Sequence, residues 1–394
     1  MQINENNSTL SEGSYSKMTV LLCWAGMIIM CSLYLTIPLS SIFTTQFNID
    51  STQAGLTGSL FSLGFAIGCL FYGALADKYG RKKVMTIGLS ALAIITILIG
   101  CTHHFAILLL LRSMQGVAAA SFSPVALAYI VAIFPNHRKV TTIGFVSTGF
   151  LIAGIVGQVA SSWISTYYGW NLVFIIFGVL YVITIIWLKV GLIQDHVQQP
   201  DLHIWSYLKQ LTLVIKQKNL MLAYLIAFLL LFSFIVMYIL LENKLQSHIF
   251  ALTSVQILSI RLIGILGMMC SPFAGNIARK ISIRNTLLLG LGLAIISLFM
   301  MGWINHLGLL IACSVVFVAG IAIAVPSLVA LVGQLGGKYR GIAVSVYTFF
   351  LFAGTSIAPI WSVYALSLQH TQSFIYSALL LTVGVVAVFC IRLK

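Results

Sequence analysis

Long apolar runs, separated by short polar breaks, fill almost the whole chain. Each run has about the 20 residues that a helix needs to cross the hydrocarbon core of a bilayer. The runs do not alternate between polar and apolar positions, as the strands of a membrane barrel do. Because backbone polar groups in lipid need internal hydrogen bonds, each run is predicted to be a helix. The twelve predicted helices span residues 18–43, 54–76, 84–102, 105–134, 140–164, 169–190, 220–242, 252–275, 286–305, 307–334, 341–365 and 371–391.

Two polar segments divide the chain. Residues 1–17 have no apolar period and are predicted to form a disordered cytoplasmic tail. Residues 191–218 form the longest polar break, after six predicted helices and before six more, and are predicted to be a cytoplasmic linker. The predicted domains are therefore an N-terminal six-helix half over residues 18–190 and a C-terminal half over residues 219–394.

The composition supports a membrane protein and argues against several other classes. Hydrophobic residues make up 60% of the chain and charged residues only 7%, whereas soluble domains are about 25% charged. The net charge of +14 is not gathered on one basic face, so nucleic acid is not an expected partner, and the lipid bilayer is. No hydrolase, nucleotide-binding or metal-cluster motif is present, so we expect neither an enzyme nor a cofactor or metal site.

The basic residues predict the orientation. If the tail is cytoplasmic, 18 of the 21 Lys and Arg residues lie in cytoplasmic segments. Lys244 alone then lies in an external loop, and Arg112 and Arg261 lie within helices. Cytoplasmic loops of membrane proteins carry an excess of Lys and Arg. We therefore predict a multi-pass protein of the inner (cytoplasmic) membrane, with both termini in the cytoplasm.

The two predicted halves share landmarks at an offset of about 202 residues. Repeated landmarks in the same helix context indicate a duplicated six-helix unit. Two pseudo-symmetric halves around a midplane cavity are typical of transporters that work by alternating access. The matched pairs are Gly73 with Gly275, His104 with His306, Pro124 with Pro326, Arg138 with Arg340, and, after a two-residue slip, FLIAG (150–154) with FLFAG (350–354).

The loop after the second predicted helix carries the most specific motif. It reads GALADKYGRKK and resembles the signature of the major facilitator superfamily at this place, which implies the twelve-helix fold of that family. Gly73 is expected to let a neighbouring helix approach closely. Asp77 is expected to pair with Arg81 or to accept hydrogen bonds from the N-terminus of an adjacent helix. With Gly80, these residues are predicted to form a cytoplasmic gate, which the second half closes less firmly because Arg279 replaces the acid.

Two predicted helices of the first half carry polar candidates. In the fourth, Arg112, Gln115 and Gly116 resemble the R-x-x-Q-G motif of the same superfamily. The resemblance to proton-coupled exporters implies that Arg112 takes part in proton release or substrate contact, and packing against backbone carbonyls is the alternative. In the fifth, Gln158 stands where the antiporter branch has proline, and it is predicted either to face the cavity or to bond a neighbouring helix.

The second half offers one candidate ion pair. Glu242 lies near the outer end of the seventh predicted helix and Arg261 near the middle of the eighth, and a short loop joins these helices. The two side chains are predicted to meet if the seventh helix bends or ends early. A proton carrier needs a carboxyl group whose proton affinity responds to burial and to a nearby cation, so Glu242 is the candidate for coupling. A Glu242 solvated at the membrane surface is the alternative.

Four aromatic residues are candidate walls of a cavity for amphipathic ligands: Tyr34, Tyr238, Tyr347 and Trp361. Together with the resemblance to the efflux branch of the superfamily, they suggest a monomeric secondary transporter that exports small amphipathic organic compounds in exchange for protons. Uptake or facilitated passage of a small organic anion is one alternative, which the two intramembrane arginines favour. A non-transporting membrane sensor is the other.

Overall fold

The computed structural model describes residues 12–195 and 204–392. All regular structure within these residues is helical. The first half contains α1 (Glu12–Tyr34), α2 (Ser40–Phe47), α3 (Ser51–Tyr79), α4 (Arg81–Gly100), α5 (Phe105–Ala119), α6 (Ser123–Ile133), α7 (Asn136–Tyr168) and α8 (Trp170–Gly191). The chain continues with α9 (Ile204–Lys216), α10 (Lys218–Gln246), α11 (Ser254–Met268), α12 (Ala274–Ile281), α13 (Ile283–Trp303), α14 (Leu307–Gly336), α15 (Arg340–Leu366) and α16 (His370–Cys390).

The number of membrane crossings agrees with the sequence. Eleven stretches of the described chain are long and apolar enough to cross a membrane. One of them, Leu307–Leu366, has 60 residues and contains both α14 and α15, so the described chain makes twelve crossings. The helices α2 and α9 are too short to be among them.

Two crossings that were predicted as single helices are interrupted. The fourth consists of α5 and α6, with Pro124 in the first turn of α6. The eighth consists of α11 and α12, with Pro272 in a 3₁₀ turn between them. Proline cannot donate a backbone hydrogen bond and its ring clashes with the preceding turn, so both interruptions follow from the sequence.

Part of the predicted disordered tail is helical. The helix α1 begins at Glu12, so residues 12–17 are helical, while residues 1–11 lie outside the described residues. The carboxylate of Glu12 forms an ion pair with Arg138 at the start of α7. This long-range contact anchors the first turn of α1, and the polar composition of the tail could not reveal it.

The predicted linker contains a helix, α9, that packs against the bundle. Tyr207 is buried, and its hydroxyl donates to the carbonyl oxygen of Leu70 in the first half. Burial raises the pKa of the Tyr207 phenol, so the hydroxyl keeps the proton that it donates. The same helix contacts α10 and α15 of the second half, so it touches both halves of the molecule.

The two halves are built in the same way. In the first half, α1 packs on α7, α3 on α5, and α4 on α8. In the second half, the corresponding helices pair as α10 with α15, α11 with α14, and α13 with α16. The duplication predicted from sequence landmarks is therefore visible as a repeated packing pattern.

Matching helix starts support the same repeat. Asp50 and Gln53 form a capping box at the start of α3, in which each side chain binds the other residue's backbone N–H. Thr253 and Gln256 form the corresponding box at the start of α11, the equivalent helix of the second half. The two capping boxes were not predicted, although the signal was present: a capping residue, Asp or Thr, followed three positions later by Gln.

The halves meet closely at one end of the molecule, here called the basic end, which carries the α3–α4, α12–α13 and α14–α15 connections. A Cβ atom at Gly73 of α3 would overlap the side chain of Ser345 in α15. A Cβ atom at Gly275 of α12 would lie 2.5 Å from Oγ1 of Thr141 in α7. The equivalent glycines therefore permit equivalent close contacts between the halves, as expected for Gly73.

Candidate functional site

A cavity of about 520 Å³ lies between the halves, toward the end of the molecule opposite the basic end. Its walls come from α1 and α7 of the first half and from α10 and α11 of the second. Most of its lining is apolar. The polar residues that line it are Tyr34, Gln158, Ser162, Tyr238, Glu242 and Arg261.

Contacts between the halves close the cavity toward the basic end. The hydroxyl of Thr148 in α7 donates to the carbonyl oxygen of Met268 in α11, at 3.3 Å. The rings of Phe65 in α3 and Phe352 in α15 are 4.4 Å apart between centroids. In this conformation the cavity is therefore separated from the basic end and open on the other side.

Arg261 is the centre of the polar network in the cavity. One terminal nitrogen donates to Oε1 of Gln158 in α7, at 3.1 Å, and the other forms an ion pair with Glu242 in α10. The guanidinium lies 5.7 Å from the ring centroid of Tyr238, within range of a cation–π interaction. Arg261 thus joins an amide from one half to a carboxylate from the other, and its planar fork allows both bonds at once.

The predicted meeting of Glu242 and Arg261 is present. The Glu242 side chain is 40% exposed and that of Arg261 is 17% exposed, so the pair lies in the mouth of the cavity and is still reached by water. The seventh crossing was expected to bend or end early for this contact, but α10 continues to Gln246, and the side chains meet across the α10–α11 hairpin without an early end. Glu242 therefore contacts a cavity arginine and is not simply solvated at the surface.

Two donors in the cavity have no hydrogen-bond partner among the described residues. They are the hydroxyl of Tyr238 and Nε of Arg261. Buried polar groups in folded proteins usually have partners, because an unmade hydrogen bond costs about 1–3 kcal/mol. Both atoms are shielded from solvent in this conformation, and the Tyr238 hydroxyl lies against Gly264 of α11.

Arg112 and Gln115 lie inside the first half and do not line the cavity. The Arg112 side chain is fully buried and donates to the backbone oxygens of Ser32 and Thr57, each at 3.0 Å, and to Gln115. Gln115 in turn donates to Oγ1 of Thr96, at 2.7 Å. The pair therefore ties α1, α3, α4 and α5 together.

Arg112 nevertheless binds the end of α1, which forms part of the cavity wall. Ser32 accepts its hydrogen bond from one side of this helix end, while Tyr34 lines the cavity from the other. Pro38 follows in the turn after α1 and also lines the cavity. A buried cation with carbonyl partners thus holds the position of the chain that carries Tyr34.

We expect substitution of Arg112 by glutamine to destabilise the protein by about 3 kcal/mol, because two buried carbonyl groups lose a charged donor. The apparent Tm of the purified protein in detergent measures this loss. Arg284→Gln is the matched control, since Arg284 is partly exposed and donates to a single carbonyl oxygen, that of Phe389. An equal Tm for the two variants would contradict the structural role of Arg112.

The remaining predicted aromatics lie elsewhere. Tyr347 is fully buried in α15, and Trp361 contacts Phe232 and Tyr364. Neither lines the cavity among the described residues, whereas Tyr34 and Tyr238 do. The sequence showed that these residues were aromatic and within the membrane, but it could not show which face of each helix they occupy.

The gating motif forms a compact cluster at the basic end. Arg81, the first residue of α4, binds Asp77 in the last turn of α3, with 2.9 Å between Nη2 and Oδ1. The Asp77 carboxylate also lies against the first turn of α15, where a Cβ atom at Gly341 would be 2.9 Å from Oδ2. Gly80 has a φ of +89° in the tight connection between α3 and α4, a conformation that glycine adopts most easily.

Asp195 belongs to the same cluster, and sequence analysis missed it. Its carboxylate accepts from the backbone N–H groups of Arg81 and Lys82, at 2.8 and 3.1 Å, and lies 3.5 Å from Nη1 of Arg81. It therefore caps the N-terminus of α4, where a negative charge is favourable. The available signal was an acid shortly after a predicted helix, in a chain that has only seven acidic residues.

Lys244 is also placed differently from the prediction. It lies within α10 and not in a loop, and it is buried. Its ammonium donates to the carbonyl oxygens of Met301 and Gly302 at the end of α13, at 2.9 and 3.3 Å. A cation at a helix C-terminus satisfies carbonyl groups that the helix leaves unpaired.

Comparisons with known proteins agree with this architecture. A protein of Buchnera aphidicola (subspecies Schizaphis graminum) described as an uncharacterized transporter is 28% identical over 82% of this chain and 79% of its own length. The cis,cis-muconate transport protein of Acinetobacter baylyi is 27% identical over 36% of this chain and 34% of its own. The quinolone resistance protein NorA of Staphylococcus aureus is 29% identical over 31% of this chain and 33% of its own.

A solved structure and a family model also match this chain along nearly its whole length. The crystal structure of FucP, a major facilitator superfamily transporter in the outward conformation, matches with a TM-score of 0.79 at 13% identity, over 97% of this chain and 100% of that one. The model of the Major Facilitator Superfamily matches residues 22–391. Members of this family are transporters and not enzymes. The chain therefore belongs to the major facilitator superfamily, as its loop motif and its two six-helix halves indicated.

Proposed function

We propose that this transporter exports small amphipathic organic compounds in exchange for protons, by alternating access of the cavity between its halves. The basic end is then cytoplasmic, in keeping with the excess of Lys and Arg there. One chain supplies both walls of the cavity, so a monomer is a complete transport unit in the inner membrane. The observation that carries the proposal is the Arg261 network, which links Gln158 of one half to Glu242 of the other.

The Glu242–Arg261 pair supplies the coupling step of this proposal. A proton from the outer side and the Arg261 guanidinium compete for the same carboxylate. Protonation of Glu242 breaks the ion pair and leaves Arg261 bonded only to Gln158, so the contact between the halves changes with proton occupancy. A ligand favours one conformation only as far as it binds that conformation more tightly. In this proposal the proton binds more tightly to the conformation in which Glu242 and Arg261 are separated.

The cavity fits an amphipathic substrate. Its walls are mainly apolar, and the partly exposed side chains of Arg261 and Glu242 can orient one polar group. A volume of about 520 Å³ lies in the range of small-molecule sites. The partial similarity to NorA favours efflux.

The cluster around Asp77 is proposed to be the gate on the cytoplasmic side. Asp77 lies against the start of α15, Arg81 binds Asp77, and Asp195 binds Arg81. Opening toward the cytoplasm would separate α3 from α15 and break the contact between Asp77 and the first turn of α15, while the pairs of Arg81 with Asp77 and Asp195 stay within the first half. Loss of the contact with α15 favours return to the closed conformation.

The direct test is transport into everted membrane vesicles from a strain without its own exporters. We expect a fluoroquinolone to accumulate when a pH gradient is applied, and Glu242→Gln to reduce this accumulation by at least about tenfold, which corresponds to 1.4 kcal/mol of coupling. The matched control is Glu12→Gln, because Glu12 pairs with Arg138 at the basic end, away from the cavity. Unchanged gradient-driven accumulation in Glu242→Gln would refute the coupling assignment.

Transport of a small organic anion is the second candidate. Arg261 is the cation of the cavity, and the partial similarity to a muconate transport protein favours this reading. The same vesicles distinguish the two: under this alternative cis,cis-muconate moves and the fluoroquinolone does not.

A further inference from the structure

A second cavity, of about 730 Å³, lies between the halves at the basic end, and none of its lining residues lines the cavity around Arg261. It is lined from the first half by the start of α7, with His137 and Lys139. From the second half it is lined by Arg279 of α12 and Arg340 at the start of α15. No Asp or Glu is among the described residues that line it, so its charged lining is cationic, and Gln334 is a neutral polar neighbour.

The nearest described acid does not neutralise this cavity. Glu12 lies 3.9 Å from Nε2 of His137, but its carboxylate is paired with Arg138 and it does not line the cavity. Arg279 donates to the neutral amide of Asn276. Cations that converge from both halves on one space repel each other unless an anion lies between them.

The internal repeat explains why an acid is missing here. On the other side of the molecule, the carboxylate of Asp77 in the α3 motif lies against the first turn of α15. In the equivalent motif of α12, Arg279 takes the place of Asp77, and the facing helix is α7. The backbone contact is kept, because Gly275 still packs against Thr141, but the negative charge is not.

We propose that this cavity binds a phosphate-bearing anion, which supplies the charge that Asp77 supplies on the other side. Arginine and lysine are the side chains that recognise phosphate, and arginine can bind two phosphate oxygens at once. Basic pockets between transmembrane helices on the cytoplasmic side are suited to anionic lipid headgroups. The two sources of this chemistry are a lipid headgroup and free phosphate.

The anion bridges the two halves, since its ligands come from α7 on one side and from α12 and α15 on the other. It therefore stabilises the conformation in which the basic end is closed, in proportion to its occupancy. This conformational consequence rests on the proposed alternating access. Binding itself does not, so it can be measured on the purified protein without any transport assay.

The test uses the purified full-length protein in a neutral detergent, titrated separately with short-chain phosphatidylglycerol, short-chain phosphatidylcholine and inorganic phosphate. Binding is followed by native mass spectrometry and by the apparent Tm. We expect phosphatidylglycerol or inorganic phosphate to bind and to raise the Tm, and phosphatidylcholine to do neither. The arm that responds identifies the source. A response to neither anion, or an equal response to phosphatidylcholine, overturns the proposal.

A pair of double variants separates the cavity from general surface charge. Lys139→Gln with Arg279→Gln removes two cavity cations, and we expect anion binding to weaken by at least about tenfold. Lys280→Gln with Lys338→Gln removes the same charge from exposed residues of the same end that do not line the cavity, and binding is expected to change less than about twofold. Equal weakening in both double variants overturns the proposal, and the wild-type titration decides it if the cavity variant does not fold.

Discussion

Replacing Arg261 with alanine is expected to reduce gradient-driven transport to the background of vesicles without the protein. The substitution removes the hydrogen bond to Gln158, the ion pair with Glu242 and the cation beside Tyr238 in one step. It also leaves the Glu242 carboxylate in the cavity without its ion-pair partner. We expect a loss of at least about 100-fold, or 2.7 kcal/mol, in the initial rate.

Arg261→Lys tests whether the positive charge alone is enough for transport. Lysine keeps the positive charge but carries one compact donor, so it cannot hold Gln158 and Glu242 with separate nitrogens as the guanidinium does. We expect an intermediate rate, between that of wild type and that of Arg261→Ala. Arg284→Ala is the control, because Arg284 lies at the basic end and outside the cavity. Wild-type transport by Arg261→Ala would remove Arg261 from the mechanism, provided that expression is equal.

Substitution of Gly73 by leucine should prevent the basic end from closing. Even a Cβ atom at this position overlaps Ser345 of α15, and a leucine side chain is far larger than the space between the helices. Because α3 and α15 belong to different halves, the added volume pushes the halves apart at this end. We expect transport to fall by at least about 100-fold, since a transporter that cannot close on one side cannot complete the cycle.

Gly292→Leu provides the matched control for this steric effect. Gly292 lies in the transmembrane helix α13, and a Cβ atom there would meet no atom within 4 Å. The same substitution is therefore expected to leave transport within about twofold of wild type, as is usual for a lipid-facing change. Similar losses in both variants would indicate a general intolerance of leucine and would contradict the role of close packing at Gly73.

The sequence predicted what depends on local pattern and on the repeat. The lengths of the apolar runs predicted the membrane crossings. The repeated landmarks, such as Gly73 and Gly275, predicted the two halves. Both features can be read directly along the chain. The Asp77–Arg81 pair lies four residues apart across the tight turn between α3 and α4, and the Glu242–Arg261 pair lies on the two adjacent helices of a hairpin.

The parts that could not be predicted depend on contacts between distant segments. Arg112 binds carbonyl groups of α1 and α3, which lie 80 and 55 positions away, and nothing in its own helix identifies them. Asp195 reaches Arg81 across 114 positions. Tyr347 and Trp361, like Tyr34, are aromatic residues within predicted membrane helices. Which of them faces the cavity depends on the rotation of each helix about its axis. That rotation is hard to predict here, because these helices are apolar on nearly all sides.

The central claim is that the two halves move against each other, so that one end opens as the other closes. Electron–electron distance measurements between spin labels test it directly, in a background without the seven native cysteines. One labelled pair, Lys83→Cys with Lys280→Cys, spans the halves at the basic end, and the other, Thr166→Cys with Gln246→Cys, spans them at the opposite end. We predict two populations in liposomes, one with a long distance at the basic end and a short distance at the opposite end, and one with the reverse. Gly73→Leu is expected to shift the protein toward the population with the long basic-end distance. Distances that change together at both ends, or that do not respond to Gly73→Leu, would contradict the account.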